Sequence, residues 1–97
     1  MNFEKEKSLG KTVKVNRIRS DMSQEDLAMK IGTSKQTISL IENDKILPSF
    51  QIVVSIAKSL ERDVDIFLEQ YLEKVLFADN FNFNDYISLK KKTGGFE

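Results

Sequence analysis

The sequence predicts an all-α domain, and two kinds of pattern support this fold class. Apolar residues recur at spacings of three and four, as at Ile52, Val53 and Ile56, which is the period of one face of a helix. Residues that cap helix N-termini precede the apolar segments, and Ser23 is the clearest case. Strand-like alternation is confined to the last part of the chain, residues 79–97.

The composition limits the classes of function. A chain of 97 residues with 40% hydrophobic residues suits one domain with its own core. The absence of Cys and His excludes disulfides and thiolate metal sites and removes the usual general base. We therefore expect no enzyme, no metal and no cofactor. The charged start and the lack of any apolar run near the ~20 residues of a membrane span predict a cytoplasmic protein that does not enter membranes.

The first helix is predicted over residues 9–21, with Leu9, Val13 and Ile18 on its inner side. The second is predicted over 24–31. Ser23 precedes it and Asp26 follows three residues later, which is the spacing of a capping box.

The third helix is predicted over residues 35–42, after a turn in which Gly32 adopts the left-handed conformation and Ser34 caps the new helix. Ile38 and Ile41 form its inward side. Two short helices joined by a tight turn, with a polar outer edge on the second, form a helix-turn-helix, the unit that places a helix in the DNA major groove. That outer edge is Lys35, Gln36, Ser39 and Leu40.

The rest of the domain is predicted to be two further helices. Ile46 and Leu47 are expected to return the chain to the core before Pro48. Ser49 then caps a fourth helix over 50–60, and Asp63 caps a fifth.

The fifth helix meets no breaker at residue 68, and its apolar arc is wider than a small domain needs. A contiguous apolar patch usually marks an interface, so we interpret residues 69–97 as a C-terminal extension for dimerisation or partner binding. Residues 79–97 fit either a short strand or a short helix capped by Asn84. The predicted dimer interface is Phe67, Tyr71, Leu72, Val75 and Leu76.

The pattern of residues 9–68 resembles the lambda-repressor/Cro-like, or XRE, family of helix-turn-helix proteins. The matching stretches read SQEDLAMKIGTSKQTISLIEND, PSFQIVVSIAKSL and DVDIFL. The resemblance implies a five-helix DNA-binding domain over these residues whose third helix enters the major groove. Double-stranded DNA is then the expected partner, and a homodimer the expected assembly.

The resemblance also implies roles for individual residues. A buried salt bridge between Arg17 and Glu42 would lock the third helix to the first. The residues expected to read base edges are Thr33, Lys35, Gln36, Ser39 and Leu40. The residues expected to contact phosphates are Gln24, Ser34, Asn43 and Lys45.

Three residues depart from the family pattern. Asp44 and Glu61 stand where the family often has Gly, and Arg62 replaces a usually apolar residue. If residue 61 needs a positive φ, Glu costs about 1 kcal/mol relative to Gly. Asp44 adds a negative charge beside the expected phosphate contacts.

These observations predict a transcriptional regulator, most simply a repressor that binds a palindromic operator as a homodimer. One alternative is an antitoxin whose apolar tail covers a toxin while the domain represses its own promoter. A second is an interaction module that does not bind DNA. The formal net charge of zero predicts modest non-specific affinity for DNA.

Overall fold

A computed structural model describes residues 8–76 of the chain, which contain five α-helices. The predicted all-α class and the order of the helices are confirmed. The first helix ends two residues earlier than predicted, and the fifth continues well past residue 68. The helices are α1 (Leu9–Arg19), α2 (Gln24–Ile31), α3 (Lys35–Glu42), α4 (Phe50–Ser59) and α5 (Asp65–Leu76).

The predicted caps set where the helices begin. Ser23, Ser34 and Ser49 each accept a hydrogen bond from a backbone N–H of the first turn of α2, α3 and α4. The Asp26 carboxylate also accepts from the Ser23 N–H at 3.0 Å, which completes the capping box. Gly32 ends α2 with φ of 76°, so the tight turn that separates α2 from α3 is confirmed.

The core lies where the five helices meet. Helix α2 packs on α3 and α4, α3 also packs on α1, and α5 packs on α1 and α4. Phe67 and Tyr71 of α5 enter this core, and the Tyr71 ring lies 6.2 Å from that of Phe50 between centroids. The buried hydrophobic residues are Leu9, Val13, Leu27, Ala28, Ile38, Ile41, Val53, Ile56, Ala57, Leu60, Phe67 and Tyr71.

Three apolar residues that were predicted to face the core are exposed instead. Ile18 is 54% exposed, because α1 turns Asn16 and Arg17 inward at its end and each further residue rotates by about 100°. Ile46 and Leu47 are 39% and 45% exposed, and Pro48 is the buried residue of that turn.

Helix α5 differs from the predicted element at its start and agrees with the predicted absence of a break at residue 68. It begins at Asp65, and the Asp63 side chain accepts a long hydrogen bond, 3.5 Å, from the Asp65 N–H. It runs without interruption to Leu76, so residue 68 lies inside a helix. None of the helices in residues 8–76 is long and apolar enough to cross a membrane.

Gly10 allows α1 and α3 to approach closely. A Cβ atom built on Gly10 would lie 2.4 Å from the carbonyl oxygen of Ile41 and 2.6 Å from that of Glu42. These neighbours are backbone atoms of the last turn of α3, which cannot rotate away as a side chain can. The contact therefore requires glycine in the first turn of α1.

We expect Gly10→Ala to destabilise the fold by about 1–3 kcal/mol, the usual cost of overpacking, although Ala is the better helix former by about 1 kcal/mol. Urea denaturation followed by circular dichroism measures the change. Gly32→Ala is the comparison, because a Cβ there meets no atom within 4 Å and only the positive φ opposes it. A Gly10→Ala variant as stable as the parent would mean that α1 and α3 separate freely.

Three turns after helices hold a non-glycine residue at positive φ. Asp21 follows α1 with φ of 57°, Asp44 follows α3 with 57°, and Glu61 follows α4 with 54°. Residue 61 thus has the positive φ on which the expected cost of Glu relative to Gly depends. Only glycine adopts this conformation without a steric penalty.

Glu61→Gly should stabilise the protein by about 1 kcal/mol, because it removes the clash between Cβ and the carbonyl oxygen. Thermal and urea denaturation measure the gain. Glu61→Ala removes the same carboxylate but keeps the Cβ atom, so it should not give the same gain. Equal gains in the two variants would assign the effect to charge.

Candidate nucleic-acid interface

One edge of α3 is exposed because the opposite edge is anchored in the core. Ile38 and Ile41 are 0% and 2% exposed, which fixes the rotation of the helix about its axis. Lys35 and Gln36 then point into solvent, while the remaining predicted base-reading residues are half-buried: Thr33, Ser39 and Leu40. The edge predicted to meet DNA is therefore accessible in this structure.

A buried ion pair joins α3 to α1. The Arg17 Nε atom lies 2.6 Å from Glu42 Oε2, and its Nη2 atom lies 3.1 Å from Oε1, so the pair is bidentate. The two side chains are 10% and 2% exposed. Arg17 Nη1 also donates to the Met22 carbonyl at 2.7 Å, which ties in the turn before α2. The predicted salt bridge is confirmed.

Gln24 also contacts this pair. Its Nε2 atom donates to Glu42 Oε1 at 3.0 Å, so the first residue of α2 is bonded to the last residue of α3. An amide carries a second N–H and a carbonyl oxygen, and these remain for another partner. No local sequence signal predicts this contact, because residues 24 and 42 lie far apart along the chain.

Two other predicted phosphate ligands have partners on α3. The Asn43 Nδ2 atom donates to the Ser39 carbonyl at 2.8 Å and lies 3.4 Å from the Ser39 hydroxyl. The Ser34 hydroxyl accepts from the Thr37 N–H at 3.1 Å as it caps the helix. Lys45 is exposed, so its ammonium group is accessible to a phosphate.

A family profile described as helix-turn-helix matches residues 13–67 of the chain. The chain belongs to this family. The match spans α2, the turn at Gly32 and α3, which are the elements that create the exposed edge.

An uncharacterized HTH-type transcriptional regulator of Methanocaldococcus jannaschii is similar to this helix-turn-helix protein. The two are 46% identical over 46 residues, which cover 47% of this chain and 70% of the archaeal protein. With the family match, this makes the chain a DNA-binding transcriptional regulator of the helix-turn-helix type.

Asp44, a departure from the family pattern, contacts the start of α1. Its carboxylate accepts from the Gly10 N–H at 3.0 Å and from the Ser8 hydroxyl, and it pairs with Lys74 Nζ of α5 at 3.2 Å. The charge that was expected to oppose phosphate is therefore partly compensated within the fold. Ser8 was missed as a cap, although a serine directly before a predicted helix is a recognised signal.

The same contacts control the ionisation of Asp44. Partial burial opposes the charged form, but the hydrogen bonds from Ser8, Gly10 and Lys74 and the positive charge of Lys74 outweigh it and hold the pKa of Asp44 below 3.8. A carboxyl group whose pKa is lower in the folded protein than in the unfolded chain stabilises the fold at pH values above the unfolded-state pKa. That contribution is lost as the pH falls through the folded-state value.

Loss of one partner of the Arg17–Glu42 ion pair is expected to lower the free energy of unfolding substantially. Arg17→Met should destabilise the protein by about 3–5 kcal/mol, because the Glu42 carboxylate stays buried without its cation. The double variant Arg17→Met, Glu42→Met should lose less than the sum of the two single variants, since it leaves no buried charge unpaired. Urea denaturation of the parent, the two single variants and the double variant gives the loss of stability in each variant and the coupling between the two side chains. Additive losses would show that the two side chains act independently.

The Asp44 contacts predict a specific pH dependence. The stability difference between the parent and Asp44→Asn should be constant from about pH 5 to 7 and shrink below about pH 4, as the native carboxylate takes up a proton. Urea denaturation at a series of pH values measures it. Asp21→Asn is the matched control, because Asp21 has the same φ of 57° after a helix but no side-chain hydrogen bond among the described residues. A difference that does not shrink at all as the pH falls below the ordinary pKa of an Asp carboxyl group would contradict the role given to the Asp44 charge.

Proposed function

We propose that this protein is a transcriptional repressor that binds a palindromic operator as a homodimer, with α3 in the major groove. The observation that carries the proposal is the exposed edge of α3 on a helix whose other side is fixed by the core and by the Arg17–Glu42 pair. An anchored helix presents its side chains in one orientation, which lowers the entropy that must be lost on binding.

The exposed edge carries the chemistry to read bases. The Gln36 amide can donate and accept at one adenine edge, and the Lys35 ammonium can donate to guanine. The Leu40 side chain and the methyl group of Thr33 suit contact with a thymine methyl group. These residues lie at the start of α3 and one turn further on, where a recognition helix meets the groove.

Phosphate contacts would fix the docking of α3. We assign them to Lys45, which is exposed, to the second amide N–H of Gln24, and to Ser34 and Asn43, whose hydrogen bonds lie within α3 and its caps. Such contacts position the protein without reading sequence. Repression follows most simply, because a domain bound over a promoter excludes RNA polymerase from the same site.

The proposed dimer interface contains fewer residues than the sequence predicts. Phe67 and Tyr71 are 0% and 7% exposed in the chain's own core, so they offer no surface to a second copy. Leu72 and Val75 are partly buried and pack on the same core. Leu76 is half-buried and is not among the residues packed on that core, so it remains as the candidate contact.

Base reading is tested with Gln36→Ala. Loss of a bidentate contact should weaken binding to the selected operator by about 1–3 kcal/mol and leave binding to random duplex DNA nearly unchanged. Operator fragments selected from random DNA provide the ligand, and fluorescence anisotropy gives both affinities. Gln51→Ala, an equal truncation at an exposed residue of α4, should change neither. Equal losses on both DNAs would contradict base reading by Gln36.

The assembly is tested by charge insertion rather than truncation, because cutting after residue 68 would remove the core residue Tyr71. We expect Leu76→Lys to convert a dimer to a monomer in light scattering. Met29→Lys is the control, since Met29 is 76% exposed on α2 and lies outside the proposed contact. A variant at Leu76 that remains dimeric would place the contact elsewhere, and a monomeric parent would favour the partner-binding alternative.

A further inference from the structure

A pocket of about 270 Å³ lies between the turn that follows α1 and the turn that follows α4. No residue of α3 lines it, so it is separate from the proposed base-reading edge. Its lining is largely polar and includes two guanidinium groups. The lining residues are Arg19, Ser20, Met22, Ser59, Leu60, Glu61 and Arg62.

The Arg62 side chain is held in position by neutral groups. Its Nε atom donates to Asn16 Oδ1 at 3.1 Å, and its Nη1 atom donates to the Leu60 carbonyl at 2.9 Å. Asn16 is itself 8% exposed and is fixed by a hydrogen bond from its Nδ2 atom to the Thr12 carbonyl at 2.8 Å. A guanidinium has five N–H donors, so further donors of Arg62 remain for another partner.

Neither arginine of the pocket has an acidic partner within residues 8–76. The ion pairs in that part of the chain are Arg17–Glu42 and Lys74–Asp44. Arg19 makes no side-chain hydrogen bond there either. Glu61 lines the pocket, but its carboxylate does not come within ion-pair distance of Arg19 or Arg62. The pocket thus holds two cationic side chains whose charge is not balanced by a direct contact.

We propose that this pocket binds a phosphate group, with Arg62 as the ligand held in place by hydrogen bonds and Arg19 as a second, exposed ligand. The fork of a guanidinium matches phosphate oxygens in bidentate geometry. Ligand pockets for apolar molecules are mostly larger, about 300–1,000 Å³, and lined by hydrophobic residues, so a small polar pocket suits a compact anion better. The Ser20 and Ser59 hydroxyl groups supply additional donors, and Glu61 limits the affinity by repulsion.

The phosphate can come from two sources, a small phosphorylated molecule or the backbone of bound DNA. Met22, which lines the pocket, precedes the Ser23 cap of α2 and the Gln24 side chain assigned to a phosphate contact. A DNA source would therefore deepen the proposed function and rest on it. A small-molecule source would give the protein a second ligand.

The first experiment titrates the full-length protein with inorganic phosphate at constant ionic strength, followed by the NMR signals of the Arg62 Nε–H and the amides of residues 59–62. We expect a saturable shift. Arg62→Gln should weaken binding at least tenfold, Arg19→Gln should weaken it less, and Glu61→Gln should strengthen it. Lys30→Gln, which removes an exposed cation outside the pocket, should leave it unchanged.

Circular dichroism checks that each variant is folded, and Arg19→Gln provides the decisive comparison if Arg62→Gln unfolds. A shift that does not saturate, or that is the same in Arg62→Gln and Lys30→Gln, would overturn the site. This titration contains no DNA, so its failure is distinct from a failure of the proposed repressor function.

The second experiment identifies the source. Random duplex DNA is titrated with the parent, Arg62→Gln and Lys30→Gln over a range of salt concentrations. A DNA source predicts weaker binding of Arg62→Gln than of Lys30→Gln, a salt slope lower by about 0.9 for the lost contact, and competition by free phosphate. A small-molecule source predicts unchanged DNA affinity in Arg62→Gln together with lost phosphate binding.

Discussion

The carboxylate of Glu42 is the contact on which the arrangement of the helix-turn-helix depends. It lies at the last residue of α3 and accepts hydrogen bonds from Arg17 of α1 and Gln24 of α2. One buried side chain thus fixes the end of α3 against both preceding helices. A buried ion pair contributes little net stability when desolvation is counted. Its bidentate geometry nevertheless sets the position of α3 on α1, because two guanidinium N–H donors meet the two carboxylate oxygens.

Such a contact matters here because the helices are short. Helices α2 and α3 have 8 residues each, well below the ~12–15 residues at which an isolated helix becomes marginally stable in water. Their ends must be held by other groups. Serine caps hold the N-termini, Gly32 ends α2, and the Gly10 contact lets α1 approach the last turn of α3. The exposed edge of α3 is therefore produced by local signals and by tertiary packing together.

Much of this could be predicted from the sequence because the signals are local. Ser23, Asp26 and Gly32 lie within a few residues of the backbone groups that they bind or shape, so their roles follow from spacing alone. The exposed edge of α3 follows from the positions of Ile38 and Ile41. The Arg17–Glu42 pair came from the family resemblance, since its partners are distant along the chain.

The errors concern residues whose placement depends on the whole fold. Ile18 was assigned to the core on helical spacing, but α1 turns a buried Asn16 and Arg17 inward at that level. Phe67 and Tyr71 were assigned to an interface because their apolar arc looked excessive. The core needs both rings, since α5 packs against α1 as well as α4. No sequence pattern indicates the role of Gly10, because the backbone atoms that it contacts lie more than thirty residues away along the chain.

The ion pair between Lys74 and Asp44 determines where a group attached to the end of α5 would lie. Asp44 lies two residues beyond α3, so its ion pair with Lys74 holds the final turn of α5 beside the C-terminal end of α3. A probe or fused domain attached directly after Leu76 would therefore start its path at that corner of the molecule. If α3 docks in the major groove as proposed, a long spacer would be needed to keep the attached group clear of the DNA.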